Sequence, residues 1–254
     1  MRLFRCASCR HCFTDLSSLA ELEHYGPEYF DKSHKNWFEH PDVKLFDRIR
    51  RIIINVYPNA SVLDVGSGNG NLLRYLRDKE PGLALTGIDI GPGRSADGIE
   101  YIAGDFLTWK FDSQFDVVIN LQVIEHMPDP QLFARRTSEL CHPGGLVIVN
   151  TINEQSVLYD LARWTRAAGF EQAYERLYSR HHLNHFNLSS LPALMQRTGL
   201  TKLQHLRHRA PIAAMDIPAS SKLTESLLRA AVWGMFAAGD LIGRSTYQTI
   251  VCRK

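Results

Sequence analysis

The chain has 254 residues, of which 44% are hydrophobic and 22% charged, as expected for one soluble domain with a buried core and small additions. Its 29 Lys and Arg nearly balance its 27 Asp and Glu. The net charge of +2 therefore gives no strong field for nucleic acid, and a nucleic-acid partner is not expected. The first residues lack the apolar core of a signal peptide, and the five cysteines form no disulfide framework, so we expect a cytoplasmic location.

Residues 1–40 are polar and irregular, and we interpret them as an N-terminal segment ahead of a main domain, 41–254. Cys6 and Cys9 have the spacing of a zinc knuckle, and His11 and Cys12 follow closely. Tetrahedral zinc needs four ligands, and four within seven residues would strain that geometry. The residues alone leave zinc binding by this segment undecided.

The main domain begins with a helix, because apolar residues recur at helical spacing from Val43 to Val56, between Asp42 and Pro58. From there strands and helices alternate. Strands are predicted at about 61–65, 83–90, 101–103, 115–121, 146–151, 200–208 and 246–252. Helices are predicted at about 69–78, 130–141, 189–198 and 223–242, the second of them ending at Pro143-Gly144-Gly145. This alternation predicts βαβ units and a parallel sheet.

Residues 152–188 interrupt the alternation. The stretch is partly helical and ends in a histidine cluster, His181, His182 and His185. Long excursions from a rigid scaffold often carry function, so we interpret this stretch as a lid-like insertion or substrate pocket. The alternative is a solvated loop.

The strongest motif lies in residues 63–70, where Asp64 precedes three glycines in the pattern D-x-G-x-G-x-G. It stands where a strand meets a helix, so the glycines can turn the backbone sharply and leave room for a ligand. A dinucleotide site would read G-x-G-x-x-G, whereas here position 71 is Asn. The acid before the turn suits a ligand with a cationic amino group.

These residues resemble the class I S-adenosylmethionine-dependent methyltransferases, in which this loop cradles the methionine part of the cofactor. The resemblance continues in Gly87-Ile88-Asp89, in Gly104-Asp105-Phe106 and in the fourth and fifth strands, and it covers about 43–254. It implies an α/β fold with a Rossmann-like, seven-stranded, mostly parallel sheet, helices on both faces and an antiparallel last strand.

The resemblance also implies which residues contact S-adenosylmethionine. Asp89, ending the second strand, can accept both ribose hydroxyls. Asp105 and Phe106 stand where the family places an acid or amide on the adenine amine beside an apolar contact. The predicted set of cofactor contacts is Asp64, Gly66, Gly68, Gly70, Asp89, Ile90, Asp105, Phe106 and Asn120.

The chemistry is expected beyond the carboxyl ends of the strands, where an open α/β sheet binds its ligands. Methyl transfer from a sulfonium mainly requires alignment, and an O or N acceptor can need a base. His126 is the foremost candidate because its ordinary pKa suits neutral pH. His182 and His185 are second candidates, and a structural role for each of the three is the alternative.

The segment from Gln122 to His126 resembles the ubiquinone-biosynthesis O-methyltransferases, which carry E-x-x-E-H and bind a divalent ion there. In this chain Gln122 replaces the first acid, and only Glu125 and His126 match. Mg²⁺ prefers carboxylates and waters, so no metal site is predicted. Residues 5–29 resemble the tail of a zinc ribbon found in some methyltransferases. We interpret the cysteine pair as its remnant, and the alternative is a misplaced start codon.

The predicted function is therefore methyl transfer from S-adenosylmethionine to a small-molecule acceptor, through family analogy a hydroxyl of a metabolite, sugar or lipid-like intermediate. Three alternatives are kept. The first is a non-catalytic regulatory protein that binds S-adenosylmethionine, and the second is a nicotinamide-dependent oxidoreductase, against which Asn71 argues. The third is a lipid-surface enzyme that docks through Leu223–Ile242, without stable membrane insertion. The oligomeric state is not predicted.

Overall fold

The computed structural model describes residues 2–19, 39–91, 96–209, 211–214 and 221–254. Residues 20–38 of the N-terminal segment lie outside the described residues. In chain order the strands are β1 (Leu3–Arg5), β2 (Cys12–Thr14), β3 (Ser61–Val65), β4 (Ala84–Asp89), β5 (Ile99–Ala103), β6 (Phe115–Leu121), β7 (Cys141–Ile152), β8 (Asn184–His185), β9 (Thr201–His208) and β10 (Tyr247–Arg253). The helices are α1 (Val43–Val56), α2 (Asn71–Lys79), α3 (Pro130–Leu140), α4 (Val157–Ala167), α5 (Gln172–Leu177), α6 (Ser190–Arg197) and α7 (Lys222–Leu241).

A seven-stranded sheet runs through the centre in the order β5-β4-β3-β6-β7-β10-β9. Strands β5, β4, β3, β6 and β7 are parallel, and β10 is antiparallel to both of its neighbours. The fold class predicted from the sequence, including the antiparallel last strand, is confirmed. Because parallel strands end at the same edge, the carboxyl ends of β3 to β7 lie together, where such sheets bind ligands.

Helices cover both faces of this sheet. On one face, α1 and α2 pack through side chains such as Ile49, Ile53 and Leu73, all fully buried. On the other face, α3 and α6 pack through Phe133 and Leu191. Burying each of these side chains contributes about 1.5–3 kcal/mol, so the sheet edge that carries the loops is held rigidly.

Among the element boundaries that differ from the sequence prediction, the starts of α2 and β7 have backbone reasons. Helix α2 begins at Asn71 rather than near Asn69, because its N-cap Gly70 adopts a left-handed φ of 71°. Strand β7 begins at Cys141, so the Pro143–Gly145 stretch lies within extended backbone. Gly144, with φ 84°, donates its N–H to the carbonyl of Lys254 at 2.8 Å, and the pairing of β7 with β6 shifts register there.

The insertion predicted at 152–188 folds into α4, α5 and β8. Strands β1 and β2 form an antiparallel hairpin, and β2 pairs with β8, which places Cys12 opposite His185. The N-terminal hairpin and the insertion therefore share one three-stranded sheet. Such non-local pairing could not be read from two strands of three residues each.

A buried carboxylate fixes the hairpin against the insertion. Glu154 is 1% exposed and accepts hydrogen bonds from Arg5 Nη2 at 2.5 Å, from Arg163 Nη1 at 2.7 Å and from the Tyr178 hydroxyl at 2.7 Å. Because a buried charge is costly unless it is paired, these three donors make the attachment specific.

Helix α7 packs mainly through its second half, where Phe236 and Gly239 are buried. In its first half Leu223 is 71% exposed and Leu227 is 63% exposed. None of the described helices is long and apolar enough to cross a membrane.

Candidate functional site

A cavity of about 400 Å³ lies at the carboxyl edge of the sheet. The loops after β3, β4, β5 and β6 line it, together with the start of α1, part of the insertion and the facing ends of β9 and β10. Its volume falls in the range of small-molecule sites, roughly 300–1,000 Å³. This is the position expected for a ligand in an open α/β sheet.

The glycine loop after β3 forms one wall of the cavity. Gly66 and Gly68 line it with left-handed φ angles of 70° and 51°. A Cβ atom at Gly66 would overlap a methyl group of Val123, so this position requires glycine for space as well as for backbone conformation. Gly70 does not line the cavity, and a Cβ there would overlap the Tyr101 hydroxyl. Its glycine is explained by packing and by the start of α2.

Asp64 lines the cavity from the end of β3 and is only 3% exposed. Burial, together with the nearby charge of Asp89, raises the pKa of its carboxyl to about 8. The described part of the chain offers this carboxyl no cation. The positive charge of a ligand ammonium would stabilise the ionised form of the Asp64 carboxyl, because an opposite charge nearby favours ionisation of an acid.

Asp89 ends β4, lines the cavity and is held by the backbone. One carboxylate oxygen accepts the N–H of Gly68 at 2.8 Å, and the other accepts the N–H of Gly91 at 2.9 Å. These contacts aim the carboxylate across the loop. Ile90 lines the same wall and is 55% exposed.

Asp105 and Phe106 line the cavity after β5. The Asp105 carboxylate accepts the Leu107 N–H at 2.9 Å, and the Phe106 ring packs 5.2 Å from the ring of Phe133. Asn120, by contrast, is fully buried in β6 and does not line the cavity. Within the described residues neither atom of its side-chain amide has a hydrogen-bond partner.

His126 and His182 line the cavity, and their ring centroids lie 5.1 Å apart. His126 follows β6 in a short 3₁₀ turn, Ile124–His126, and its Nδ1 lies 2.7 Å from the carbonyl of His181. A carbonyl only accepts, so Nδ1 carries the proton and neutral His126 has its basic lone pair on Nε2. His182 reaches the cavity from the insertion.

His185 is not brought to the cavity. It is fully buried in β8, its Nδ1 lies 3.3 Å from the Tyr159 hydroxyl, and its ring stands 6.3 Å from that of His182. Burial lowers its pKa well below the ordinary value, so the imidazole is neutral. The geometry gives it a packing role behind His182 rather than contact with a reacting group.

The sequence analysis missed a second polar group in the cavity, formed by Asp42, Asn150, His208 and Tyr247. These residues come from four separated segments, so no local motif contains them. The available signal was their position, because Asp42 precedes α1, His208 ends β9 and Tyr247 begins β10.

The residues that match the divalent-ion motif do not converge. Gln122 Nε2 donates to Asn150 Oδ1 at 2.6 Å, whereas Glu125 is fully buried, does not line the cavity and accepts from the Thr151 hydroxyl. Burial raises the pKa of Glu125 to about 7. In the described ranges no three His, Cys, Asp or Glu side chains are grouped to hold a metal.

The N-terminal cysteines separate into two kinds. Cys12 is buried, and burial raises the pKa of its thiol to about 11. Cys6 lies on the hairpin turn, where backbone N–H groups of Cys9 and Ser8 and their side chains lower its pKa to about 6. Arg10, which follows, has a left-handed φ of 60°. Within the described part of this segment, its cysteines and His11 form no group of three that could hold a metal.

The chain belongs to the methyltransferase domain family, whose model matches residues 24–205. This confirms the resemblance recognised in the sequence. Among its relatives are ubiquinone biosynthesis O-methyltransferases of Pseudomonas entomophila, 31% identical over 148 residues, and Pseudomonas putida, 32% identical over 148 residues. Each match covers 51% of this chain and 63% of the relative, so the chain spans less than two thirds of these proteins' length.

Solved methyltransferase structures share the fold at low identity. The 1,6-didemethyltoxoflavin-N1-methyltransferase of Burkholderia thailandensis superposes with a TM-score of 0.57 at 15% identity, and the match covers 98% of both chains. The N-methyltransferase NodS of Bradyrhizobium japonicum gives a TM-score of 0.52 at 14% identity, covering 92% of this chain and 94% of NodS.

Proposed function

We propose that this chain transfers the methyl group of S-adenosylmethionine to a hydroxyl oxygen of a small molecule. The observation that carries the proposal is the Asp64 carboxyl, buried at the wall of the cavity beside the glycine loop with no cation paired to it among the described residues. A pyrophosphate would oppose ionisation of this acid, whereas the amino group of an amino-acid-bearing nucleoside would pair with its ionised form.

The residues present fit such a ligand. Asp64 would pair with the amino group, and Gly66 and Gly68 would let the methionine part approach the backbone. Asp89, already aimed by two backbone N–H groups, would accept the ribose hydroxyls. Asp105 and Phe106 would contact the adenine. The assignment of each part follows the family resemblance and the order of these residues along the cavity wall.

Bound S-adenosylmethionine supplies a methyl group already activated on a sulfonium. The protein's own task is to align the acceptor oxygen with that methyl and to receive its proton. His126 can do this through Nε2, because its Nδ1–H is held by the carbonyl of His181. His182, whose ring lies beside it, would orient the acceptor or the imidazolium.

The names of the relatives support oxygen as the acceptor atom, since the matched Pseudomonas proteins are O-methyltransferases. Both structural neighbours described above are named N-methyltransferases, but at 15% identity or less they share only the fold. The acceptor atom is therefore the part of the proposal that experiment must decide.

Calorimetry with S-adenosylmethionine and with NAD tests the cofactor side. Tight binding of the former and none of the latter is expected, and the reverse would favour a nicotinamide-dependent oxidoreductase. Turnover is then measured with radiolabelled S-adenosylmethionine over phenols, polyols and isoprenoid alcohols. Normal binding without transfer to any acceptor would favour the non-catalytic regulatory protein.

A further inference from the structure

Helix α7 carries an apolar face that no part of the described chain covers. Its large side chains Leu223, Leu227 and Leu241 are 71%, 63% and 89% exposed. Between them the same face holds the small residues Ala230 and Gly234, and a Cβ atom at Gly234 would meet no other atom within 4 Å. Contiguous apolar surface of this kind is typical of an interaction site.

The residues of this face have the spacing of a helix-pairing seam. They recur alternately four and three residues apart, in the order Leu223, Leu227, Ala230, Gly234, Ala237 and Leu241. Side chains at this spacing form one line along a helix, here about 27 Å long, and two helices pack side by side through such lines. The buried residues Phe236 and Gly239 lie on the opposite side, where α7 packs on the domain. The seam therefore faces away from its own domain.

The seam is self-complementary when a second copy of the helix runs in the opposite direction. Leu223 and Leu241 each lie nine residues from Val232, and Ala230 and Gly234 each lie two residues from it. A two-fold axis level with Val232 would place leucine against leucine at both ends and small residues against small residues at the centre. The small central residues let the two helix axes approach closely, and the leucines fill the space toward the ends.

The charges of α7 favour a second copy over an anionic lipid surface. The helix has two basic residues, Lys222 and Arg229, and two acidic residues, Glu225 and Asp240, so it lacks the basic excess of helices that lie on membranes. Lys222 and Asp240 are eighteen residues apart, which is five helical turns, so they lie on the same side of the helix near opposite ends. Antiparallel pairing would bring each Lys222 toward Asp240 of the other copy, whereas parallel pairing would bring like charges together.

We propose that the protein forms a two-fold symmetric dimer through antiparallel packing of the α7 helices of two copies. The leucines of each copy then find apolar partners at both ends of the seam. This inference goes beyond the proposed function and does not depend on it, because no residue of α7 lines the cavity. Loss of the dimer should therefore leave the Kd of S-adenosylhomocysteine unchanged.

Sedimentation velocity on the full chain, over a wide range of protein concentration, measures the assembly. The mass should rise from the chain mass of 28.9 kDa to twice that value as the concentration increases. A protein that stays monomeric at every concentration would overturn the proposal.

Gly234→Leu blocks the centre of the seam and leaves the monomer intact. Leucine forms helices better than glycine, and the space around Gly234 is open, so the variant should be at least as stable as the natural chain. The added side chain would hold the two helices apart and should raise the Kd of dimerisation about tenfold or more. Gln196→Leu is the matched control, because it adds the same side chain at an exposed position of α6. Equal dimerisation by Gly234→Leu and Gln196→Leu would overturn the proposal.

Charge reversal tests the direction of pairing. Lys222→Glu should weaken the dimer about two- to tenfold, because it places two acids together at each end of the seam. Combining it with Asp240→Lys restores opposite charges and should recover most of the lost affinity. No loss in the single variant, or no recovery in the double variant, would contradict the antiparallel arrangement.

A lipid surface is the alternative occupant of this face. Co-sedimentation with vesicles of phosphatidylcholine and phosphatidylglycerol distinguishes the two, because Gly234→Leu makes the face more apolar and would strengthen binding to a membrane. A dimer predicts the opposite response, weaker association in Gly234→Leu and no vesicle binding by the natural chain. Vesicle binding that tightens in Gly234→Leu would overturn the proposal in favour of the lipid surface.

Discussion

Asp64 is the residue whose environment has the most direct consequence for binding. Replacing it with Asn should weaken S-adenosylhomocysteine binding about ten- to hundredfold, the usual size of a lost charge-assisted hydrogen bond. Isothermal titration measures this. Asp97→Asn, at an exposed position outside the cavity, should leave the Kd unchanged. Equal Kd values for the two variants would remove Asp64 from the site.

The raised pKa of Asp64 also predicts proton release. Below about pH 8 the free protein holds a proton on this carboxyl, and a ligand ammonium requires it ionised. Binding at pH 7 should therefore release protons, and affinity should rise from pH 6 to pH 8. Titrations in buffers of different ionisation heat count the protons. Proton uptake, or the same release in Asp64→Asn, would contradict this coupling.

The glycine requirement at Gly66 can be separated into strain and overlap. Gly169 also has a positive φ, 89°, but a Cβ there meets no atom within 4 Å, so Gly169→Ala isolates the backbone cost, about 1–2 kcal/mol. Gly66→Ala adds the overlap with Val123, which should cost about 1–3 kcal/mol more and displace the loop. Denaturant unfolding and the Kd of S-adenosylhomocysteine measure both effects. Equal losses of stability in the two variants would show that the glycine loop or Val123 shifts enough to remove the overlap.

His126 is expected to affect the rate more than the affinity. His126→Gln should lower kcat about 10²- to 10⁴-fold on whichever acceptor is found, with cofactor binding unchanged, because it removes a base. His142→Gln, an exposed position outside the cavity, is the control. A full rate in His126→Gln would leave His126 as a residue that holds the loop.

At the scale of the elements, a strand was predictable from the sequence where a run of neighbouring apolar residues marks it. Strands β3 and β6 are nearly continuous apolar runs, and the glycine loop between β3 and α2 is read within eight residues. The hairpin was not predictable, because β2 finds its partner β8 only through the tertiary fold. The approach of Asp42 and His208 was not predictable for the same reason, because these residues are distant in sequence and come close only in the folded domain.

The contact between the β1–β2 hairpin and the insertion should contribute measurably to the stability of the insertion. Arg5→Met leaves the buried Glu154 with one donor fewer and should cost about 1–3 kcal/mol, with faster amide exchange in α5 and β8. Arg2→Met is the matched control on the same hairpin, since Arg2 is 70% exposed and 3.5 Å from Asp15. Equal amide exchange rates in the two variants would show that the insertion is stable without the contact between Arg5 and Glu154.

For the whole molecule, the buried titratable groups predict a stability maximum at mildly acidic pH. Asp64 and Glu125 have raised pKa values, so the folded protein holds protons that the unfolded chain has lost, and stability falls as pH rises from about 4 to 8. His185 and His208 have lowered pKa values, so stability also falls below about pH 6.5, where the unfolded chain takes up protons.

Denaturant unfolding over this pH range is the measurement. The free energy of unfolding should be largest between about pH 4 and 6.5, where the two effects oppose each other, and should fall above pH 6.5; saturating S-adenosylhomocysteine should flatten this alkaline decline, because it stabilises ionised Asp64. Asp64→Asn should show a shallower alkaline decline without ligand. A monotonic pH dependence would contradict the burial of these groups.

The shared sheet of β1, β2 and β8 has a consequence during synthesis. The hairpin leaves the ribosome before β8, which follows roughly 170 residues later, and at about 5–20 residues per second this is a delay of about 10–35 seconds. For that interval Cys12, which is buried in the folded protein, and His11, whose ring packs against Phe186, lack their native surroundings. The nascent chain therefore carries an incompletely paired hairpin, which a holding chaperone is suited to shield until β8 emerges.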